Sequence, residues 1–159
     1  MMFRELQRKN KELSRGECLG ILEDQKRGVL SVNGDGGYPY AMPMNHFYEA
    51  AEGKLYFHCG LRGHRLDALA RDPRVCFCVC DEGRRKEDHW ALLFRSVIVF
   101  GKIRVLDDPA KIREIAAKLS RKFTTDEAYI QREIDLYADH TLLLELTPEH
   151  ICGKLVEES

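Results

Sequence analysis

The sequence predicts a mostly antiparallel β-barrel with peripheral helices, formed by a single domain of 159 residues. Three observations support this fold class. Consecutive hairpin signals occupy the first half of the chain, four segments carry helix caps or helical spacing, and no G-x-G-x-x-G motif follows the first strand. A chain of this length builds one core that buries roughly two thirds of its unfolded surface. We therefore expect one domain spanning residues 1–159.

The first half is predicted to contain one helix and three strands. Ser14 and Glu17 form a capping box for a helix through CLGILEDQ, which Gly28 is expected to end. Strands are then predicted for GVLSVN, YAMPMNHFYE and EGKLYFHC, with a glycine-rich hairpin turn, NGDGGYPY, after the first. Because Pro43 cannot donate a hydrogen bond within a ladder, its position indicates a sheet edge, a strand end or a bulge.

The second half is predicted to contain three further helices and the remaining strands. HRLDALARD forms a short helix, and RVCFCVC a buried strand. The long strand RSVIVFGKIRVL contains Gly101, which indicates a bulge or barrel corner. Pro109 begins a helix through DDPAKIREIAAKLSRKF, and Thr124 with Glu127 predicts a capping box for another. TLLLELTPEHICGKLV is expected to form one strand and a short return, which gives six or seven strands in total.

Composition and charge exclude several classes of protein. The 25 basic and 26 acidic residues nearly balance, so nothing favours general binding to nucleic acid or to an anionic membrane surface. No apolar run approaches the roughly 20 residues of a membrane helix, and the polar start, MMFRELQRKNKELSRGE, lacks the apolar stretch of a signal peptide. We therefore predict a cytoplasmic protein that binds neither nucleic acid nor membrane.

The six cysteines favour packing over metal binding or disulfides. Cys76, Cys78 and Cys80 alternate, so in a strand they share one face. Zinc sites usually use C-x2-C pairs on turns, and the sequence contains none. We interpret the cysteines as small, buried, reduced side chains and predict no metal site.

Glycine and basic side chains coincide at a predicted helix start in LRGHRLDAL. Backbone amides and the helix dipole favour a phosphate there, and Arg62, His64 and Arg65 add charge-assisted donors. Gly63 permits close approach of the ligand to the backbone. An ordinary solvated helix start with the same charges explains the spacing equally well.

A metal site that uses His58, Cys59 and His64 is disfavoured. Adjacent residues of a strand point to opposite faces, so His58 and Cys59 cannot both be ligands without distortion. No carboxylate or second histidine pair is placed to complete such a site. Packing of a neutral His58 at a strand end is the alternative to a functional role.

Four segments, in order over residues 14–155, carry a resemblance to a known family. They are GVLSVNGDGGYPYAMPMNHFY, KLYFHCGLRGHRLDALARDPRVCFCV, RSVIVFGKIRVLDD and TLLLELTPEHICGK. Together they resemble the flavin-binding split-barrel superfamily of pyridoxamine 5'-phosphate oxidase-like proteins, and within it the nitroimidazole-resistance family. The resemblance implies a six-stranded antiparallel split β-barrel and a homodimer with FMN in clefts at the subunit interface.

Matched by position, the resemblance also implies where the cofactor binds. His58 would lie beside the reaction site as the candidate catalytic residue. Arg95 and Ser96 would reach the flavin from the partner subunit, and Lys154 belongs to a family motif near the end of the chain. The implied cofactor-binding residues are Met42, Pro43, Met44, Asn45, Phe57 and His58 at the flavin ring, Gly63, His64 and Arg65 at the phosphate, and Arg95, Ser96 and Lys154.

Two positions depart from the vitamin B6 oxidases of this superfamily. Those enzymes carry an Arg and a Lys at the ends of the flavin-contacting strand, where this chain has Tyr40 and Asn45, and their C-terminal Trp and Arg substrate elements are missing. Vitamin B6 oxidation is therefore not expected, and the resemblance to the nitroimidazole-resistance family implies an FMN-dependent reductase of nitroimidazoles or other small aromatic compounds. The alternatives are a flavin carrier, sensor or store without turnover, and a haem or deazaflavin protein with the same barrel.

Overall fold

The structure is a computed structural model that describes residues 3–158. Within this range, eight antiparallel strands form one sheet in the order β2–β1–β5–β7–β8–β4–β3, with β6 added beside β7. The strands are β1 Arg27–Asn33, β2 Pro39–Asn45, β3 Phe47–Glu49, β4 Lys54–Cys59, β5 Arg74–Cys80, β6 Arg84–Arg85, β7 Leu92–Leu106 and β8 Leu142–Glu157. The helices are α1 Arg15–Asp24, α2 His64–Arg71, α3 Pro109–Ser120 and α4 Glu127–Tyr137.

The long antiparallel pair of β7 and β8 holds the sheet together. β7 pairs with β5 on one side and with β8 on the other, and the first residues of β8 also pair with β4. The two ends of the strand order, β2 and β3, are joined in the chain by His46 alone. The predicted mainly antiparallel fold with four helices is confirmed. The predicted six strands are not, because the chain breaks at His46 into β2 and β3 and the loop before β7 forms the short β6.

The core has two parts, and β4 separates them. Phe57 faces the interior of the curled sheet, where it packs edge-on against Phe77 at a ring-centroid distance of 4.9 Å. Tyr56 faces the other way, into a smaller cluster with Ile112 and Ile115 of α3. Because side chains alternate along a strand, His58 lies on the same face of β4 as Tyr56, toward the helices.

Helix α1 begins as predicted but ends earlier. The Ser14 side chain accepts a hydrogen bond from the Glu17 amide, and the Glu17 carboxylate accepts one from the Ser14 amide. The prediction that Gly28 ends this helix is wrong, because Gly28 belongs to β1 and lies opposite Met44. A Cβ atom at Gly28 would lie 2.6 Å from the Cys78 carbonyl oxygen, so close strand packing requires the glycine.

Helix α4 is capped by a different residue from the one predicted. The Asp126 carboxylate accepts a hydrogen bond from the Tyr129 amide and is the N-cap. Thr124 instead accepts a hydrogen bond from the Asp126 amide, within the turn before the helix. The helix itself, through Ile130 and Ile134, is confirmed.

The bulge predicted at Gly101 is present, and it explains a second difference. Phe100 lies opposite His150 and Gly101 opposite Pro148, so Glu149 is the extra residue. The bulge accommodates Pro148, and β8 therefore continues through the predicted return as one strand. A Cβ atom at Gly101 would lie 2.2 Å from the Thr147 carbonyl oxygen.

Candidate functional site

Three adjoining cavities connect the N-terminus of α2, the edge of β2 and the helices α3 and α4. The α2 cavity, about 190 Å³, includes Arg62, Gly63, His64 and Arg65 in its lining. The β2 cavity, about 310 Å³, is lined by Arg27, Pro43, Met44, Asn45, His58 and Arg65. The α4 pocket, about 330 Å³, lies between α3, α4 and the end of β4. Arg65 lines the first two cavities, and His58 lines the second and third.

The α2 cavity is built around an uncapped helix start. Gly63 is the N-cap residue of α2, with φ of 138° and no side-chain cap on the helix amides. A Cβ atom at Gly63 would have no neighbour within 4 Å among residues 3–158, so the backbone conformation, rather than lack of space, requires glycine. Free amides at a helix N-terminus favour an anion.

The basic side chains around this helix start differ in their partners. His64 stacks on Tyr40 at 4.2 Å between ring centroids and lies 3.5 Å from an Asp35 carboxylate oxygen. Arg62 and Arg65 have no carboxylate within ion-pair distance among residues 3–158. The Arg65 Nε donates to the Met42 sulfur at 3.0 Å, a weak acceptor that leaves the guanidinium charge uncompensated.

The β2 cavity lies along the free edge of the sheet. β2 ends the strand order, so Pro43 lies at a sheet edge, one of the three positions that its sequence indicates. Pro43 lies opposite Val29, and since it has no N–H group this is a non-hydrogen-bonded pair. The backbone polar groups of Pro43 and Asn45 therefore point away from β1. Beside them, Arg27 Nε donates to the Asn45 side-chain oxygen at 2.8 Å.

His58 forms the wall between the β2 cavity and the α4 pocket. Its side chain is exposed on the concave surface between them. The surrounding protein lowers the pKa of His58 below its usual 6.5 by desolvation, and the positive charge of Arg65 lowers it further. The imidazole is therefore neutral near pH 7 and offers one donor and one acceptor nitrogen.

The structure brings most of the predicted site residues together. Pro43, Met44 and Asn45 line the β2 cavity with His58, and Met42 contacts Arg65 from below the surface. Gly63, His64 and Arg65 line the α2 cavity. Phe57 differs, because its side chain is fully buried in the core and lines none of the three cavities.

Arg95, Ser96 and Lys154 lie elsewhere, where the start of β7 pairs with the end of β8. Ser96 is paired with Lys154, and Arg95 Nε donates to an Asp81 carboxylate oxygen at 2.8 Å. Lys154 lines a separate small cavity beside Arg8. The linings of the α2 cavity, the β2 cavity and the α4 pocket do not include these three residues.

Two groups of lining residues were not predicted from the sequence. Arg27 lies opposite Asn45, a register that the glycine-rich turn between β1 and β2 could have indicated. The α4 pocket combines His58 with residues some 50 to 80 positions later in the chain, among them Ala116, Tyr129 and Glu133. No spacing in the sequence connects them.

The cysteines are less buried than predicted. All six are free thiols, and only Cys18 and Cys59 are buried. Cys76, Cys78 and Cys152 are half-buried and Cys80 is exposed, because they lie on the outer face of the sheet. Within residues 3–158, no three His, Cys, Asp or Glu side chains are placed to hold a metal ion. None of the helices in this range has the length and apolarity to cross a membrane.

A model of the pyridoxamine 5'-phosphate oxidase family matches residues 14–155. The chain belongs to this family. A comparison with curated protein sequences finds no match. The match spans α1 to β8 and so includes every residue of the α2 and β2 cavities.

Several solved structures share the fold of this chain. A candidate 5-nitroimidazole antibiotic resistance protein from Bacteroides thetaiotaomicron is 20% identical with a TM-score of 0.78, over 92% of this chain and 87% of that one. A FAD-binding protein from Mesorhizobium loti is 22% identical with a TM-score of 0.65, over 92% and 97% of the two chains. A FAD- and haem-binding protein from Mycobacterium smegmatis is 22% identical with a TM-score of 0.71, over 91% and 73%. The split-barrel fold is thus confirmed.

Proposed function

We propose that this protein binds FMN across the α2 and β2 cavities and uses it to reduce nitroimidazoles or other small aromatic compounds. The observation that carries the proposal is Arg65, a cation without a carboxylate partner among the described residues, between an uncapped helix start and an open strand edge. An elongated ligand with an anionic end and a polar ring matches this sequence of groups.

The donor set fits the two ends of FMN. A phosphate needs several donors, and the α2 amides with Arg62, His64 and Arg65 supply them. The polar edge of a flavin ring needs donors and acceptors along one line, which the free backbone edge of β2, Asn45 and Arg27 supply. Met44 and Pro43 add apolar surface for the ring.

His58 is the side chain we assign to the reaction. Bound flavin would supply the two electrons that convert a nitro group to a nitroso group, a step that consumes two protons, releases water and relies on a reduced nicotinamide to restore the electrons. His58 faces both the ring cavity and the pocket beyond it, so it can hold or deliver a proton there.

We further propose a homodimer in which Arg95, Ser96 and Lys154 of one subunit reach the flavin of the other. The outer face of the sheet supports this proposal, because it exposes apolar side chains that a second copy could cover. Val29 is 41% exposed, and Ile98 and Phe100 are half-buried on this face. A cavity of about 810 Å³ crosses the same face between Pro39 and Phe100.

The absorbance spectrum of the purified protein tests the cofactor. FMN gives bands near roughly 370 and 450 nm, whereas haem gives a Soret band. Mass spectrometry of the released cofactor separates FMN from FAD. Haem is the second candidate, since one structural relative is named for binding both FAD and haem and the neutral imidazole of His58 suits an axial ligand.

Titration with FMN tests the anion site. We expect Arg65→Ala to weaken FMN binding by about ten- to hundred-fold, the worth of a charge-assisted hydrogen bond. Arg113→Ala removes a half-buried arginine of α3 that pairs with Asp135 outside the α2 and β2 cavities, and it should leave the affinity unchanged. Equal affinities for the wild type and Arg65→Ala would contradict the phosphate assignment.

Steady-state oxidation of NADH or NADPH in the presence of a nitroimidazole tests the reductase. Turnover that depends on both bound FMN and the nitro compound supports the proposal. Bound FMN that no donor reduces would favour a carrier or store instead.

A further inference from the structure

The α4 pocket has walls that come from three parts of the chain. Helix α3 contributes Ile112 and Ala116, helix α4 contributes Tyr129 and Ile130, and β4 contributes His58. Its volume of about 330 Å³ lies at the small end of the roughly 300–1,000 Å³ typical of small-molecule sites. The pocket is therefore large enough for one small ring compound.

The pocket has an apolar floor and an aromatic mouth. Ile112, Ile130 and Ile134 are buried and form the floor. Tyr129 and Tyr137 remain 47% and 58% exposed, although both line the pocket. Large aromatic side chains left accessible around a concave apolar surface favour a planar, mainly apolar ligand.

Among the described residues, the pocket lining contains one acidic side chain, Glu133. Glu133 is half-buried in the lining, and no cation among residues 3–158 lies within ion-pair distance of it. The nearby hydroxyl of Thr141 already donates to the Tyr137 carbonyl oxygen at 2.8 Å, so it is not available to Glu133. An unpaired carboxylate in a partly dry pocket favours a cation or an N–H donor and repels an anion.

The pocket and the β2 cavity share His58 in their linings. A molecule in the pocket that reaches His58 therefore has that end beside the site that we assign to the flavin ring. Positive charge dominates the opposite end of the row, where Arg62 and Arg65 lie. The three cavities thus run from cationic walls to an acidic one.

We propose that the α4 pocket binds the small molecule on which the bound cofactor acts, an aromatic compound that is neutral or carries one positive charge. Its amine or N–H group lies toward Glu133, and its reducible group lies toward His58. The inference rests on the proposed function for the pocket's purpose, but binding to the pocket itself requires no turnover.

Equilibrium dialysis against three matched probes tests the pocket without measuring activity. The probes are 4-nitrobenzylamine, 4-nitrobenzyl alcohol and 4-nitrobenzoate, and the full-length protein is used as purified. We expect the amine to bind about tenfold or more tightly than the benzoate, because only the amine pairs with Glu133. Glu133→Gln should weaken amine binding about tenfold and leave the alcohol unchanged, whereas Asp139→Asn, an exposed carboxylate outside the lining, should change neither.

Filling the cavity provides a second test. Ala116→Phe should abolish binding of all three probes and leave FMN titration unchanged, while Ala128→Phe on the exposed side of α4 should leave probe binding intact. Since Glu133→Gln barely changes shape, it still decides the question if Ala116→Phe fails to fold. Unchanged probe binding in Ala116→Phe, benzoate binding equal to the amine, or no probe binding because a partner segment covers the pocket would each overturn the inference.

The proposed FMN-dependent function and the proposed α4 pocket can be contradicted independently of each other. Discriminating probe binding in a protein that takes up no FMN contradicts the proposed function and supports the pocket. FMN binding without probe binding contradicts the pocket and leaves the proposed function standing.

Discussion

The imidazole of His46 is fully buried where β2 turns into β3, and its surroundings keep it neutral. Nε2 donates to the Leu22 carbonyl oxygen at 2.8 Å, and Nδ1 has no hydrogen-bond partner among the described residues. Lys122 Nζ donates to the His46 carbonyl oxygen at 3.0 Å. Burial and, secondarily, the Lys122 charge lower the pKa of His46 to about 4.

This lowered pKa predicts a loss of stability in weak acid. The unfolded chain binds a proton at His46 as the pH falls through about 6.5, whereas the folded chain does so only near pH 4. Between these values the unfolded state holds more protons than the folded state. The free energy of unfolding therefore decreases as the pH decreases, by up to roughly 3 kcal/mol. Urea unfolding at a series of pH values measures the effect.

The variant His46→Phe is the control for that experiment. Carboxylates with lowered pKa values, such as Asp81 and Glu145, contribute their own pH dependence in both proteins. Only the His46 contribution disappears in the variant, so its unfolding free energy should change less between pH 7 and pH 5 than that of the wild type. Equal slopes would show that His46 does not set the pH dependence.

His58 predicts a pH dependence of the reaction itself. A proton donor must be protonated, and desolvation with the Arg65 charge holds the pKa of His58 below 6.5. We expect nitro reduction to become faster as the pH falls from about 8 to about 6. The variant His58→Gln should lack this pH dependence and should react about 10²–10⁴-fold more slowly than the wild type. A variant with unchanged rate and profile would assign His58 to packing alone.

At the scale of elements, α4 offers a direct test of which residue caps it. Asp126→Ala should lower the free energy of unfolding by about 1 kcal/mol, because it removes the acceptor for the Tyr129 amide. Thr124→Ala removes only a bond within the preceding turn and should cost a few tenths of that. Chemical denaturation of both variants compares them, and a larger loss for Thr124→Ala would favour the cap predicted from the sequence.

Local signals in the sequence predicted elements wherever one residue type decides the structure. The Ser14–Glu17 capping box, the Gly101 bulge and the edge strand with Pro43 are all present. The errors arose where tertiary packing decides. Gly28 looks like a helix stop but is needed for strand packing, and Pro148 looks like a strand end but lies beside the bulge residue Glu149.

The same distinction between local sequence signals and tertiary packing applies to the candidate site. The α2 cavity draws most of its lining from one short segment around residues 59–66, so its basic character was visible in the sequence. The α4 pocket was not, because His58 meets α3 and α4 only after the chain has folded. Arg27 and Asn45 are an intermediate case, joined by a hairpin register.

At the scale of the whole molecule, the outer sheet face predicts the oligomeric state. Ile98→Glu places a charge on this face, between Cys78 and Cys152, and should convert the proposed dimer to a monomer. Light scattering measures the molar mass and so distinguishes the two states. Val105→Glu, at an exposed position toward the other end of β7, should not. A dimer that persists in Ile98→Glu would place the subunit contact on another surface.

The same variant tests whether the partner completes the flavin site. If Arg95 and Ser96 act across the interface, the monomer should bind FMN more weakly although its α2 and β2 cavities are intact. Titration of FMN against monomeric Ile98→Glu measures this. Wild-type affinity in the monomer would show that one subunit suffices.

The shared wall at His58 has a thermodynamic consequence for occupancy of the two cavities on either side of it. One imidazole faces both, so a ligand in either cavity that favours one protonation state alters the affinity of the other cavity. Linkage requires this influence to be reciprocal: the factor by which the first ligand changes binding of the second equals the factor in the opposite direction. The two sites are therefore expected to bind cooperatively or anticooperatively according to pH, with the proton on His58 as a third ligand common to both.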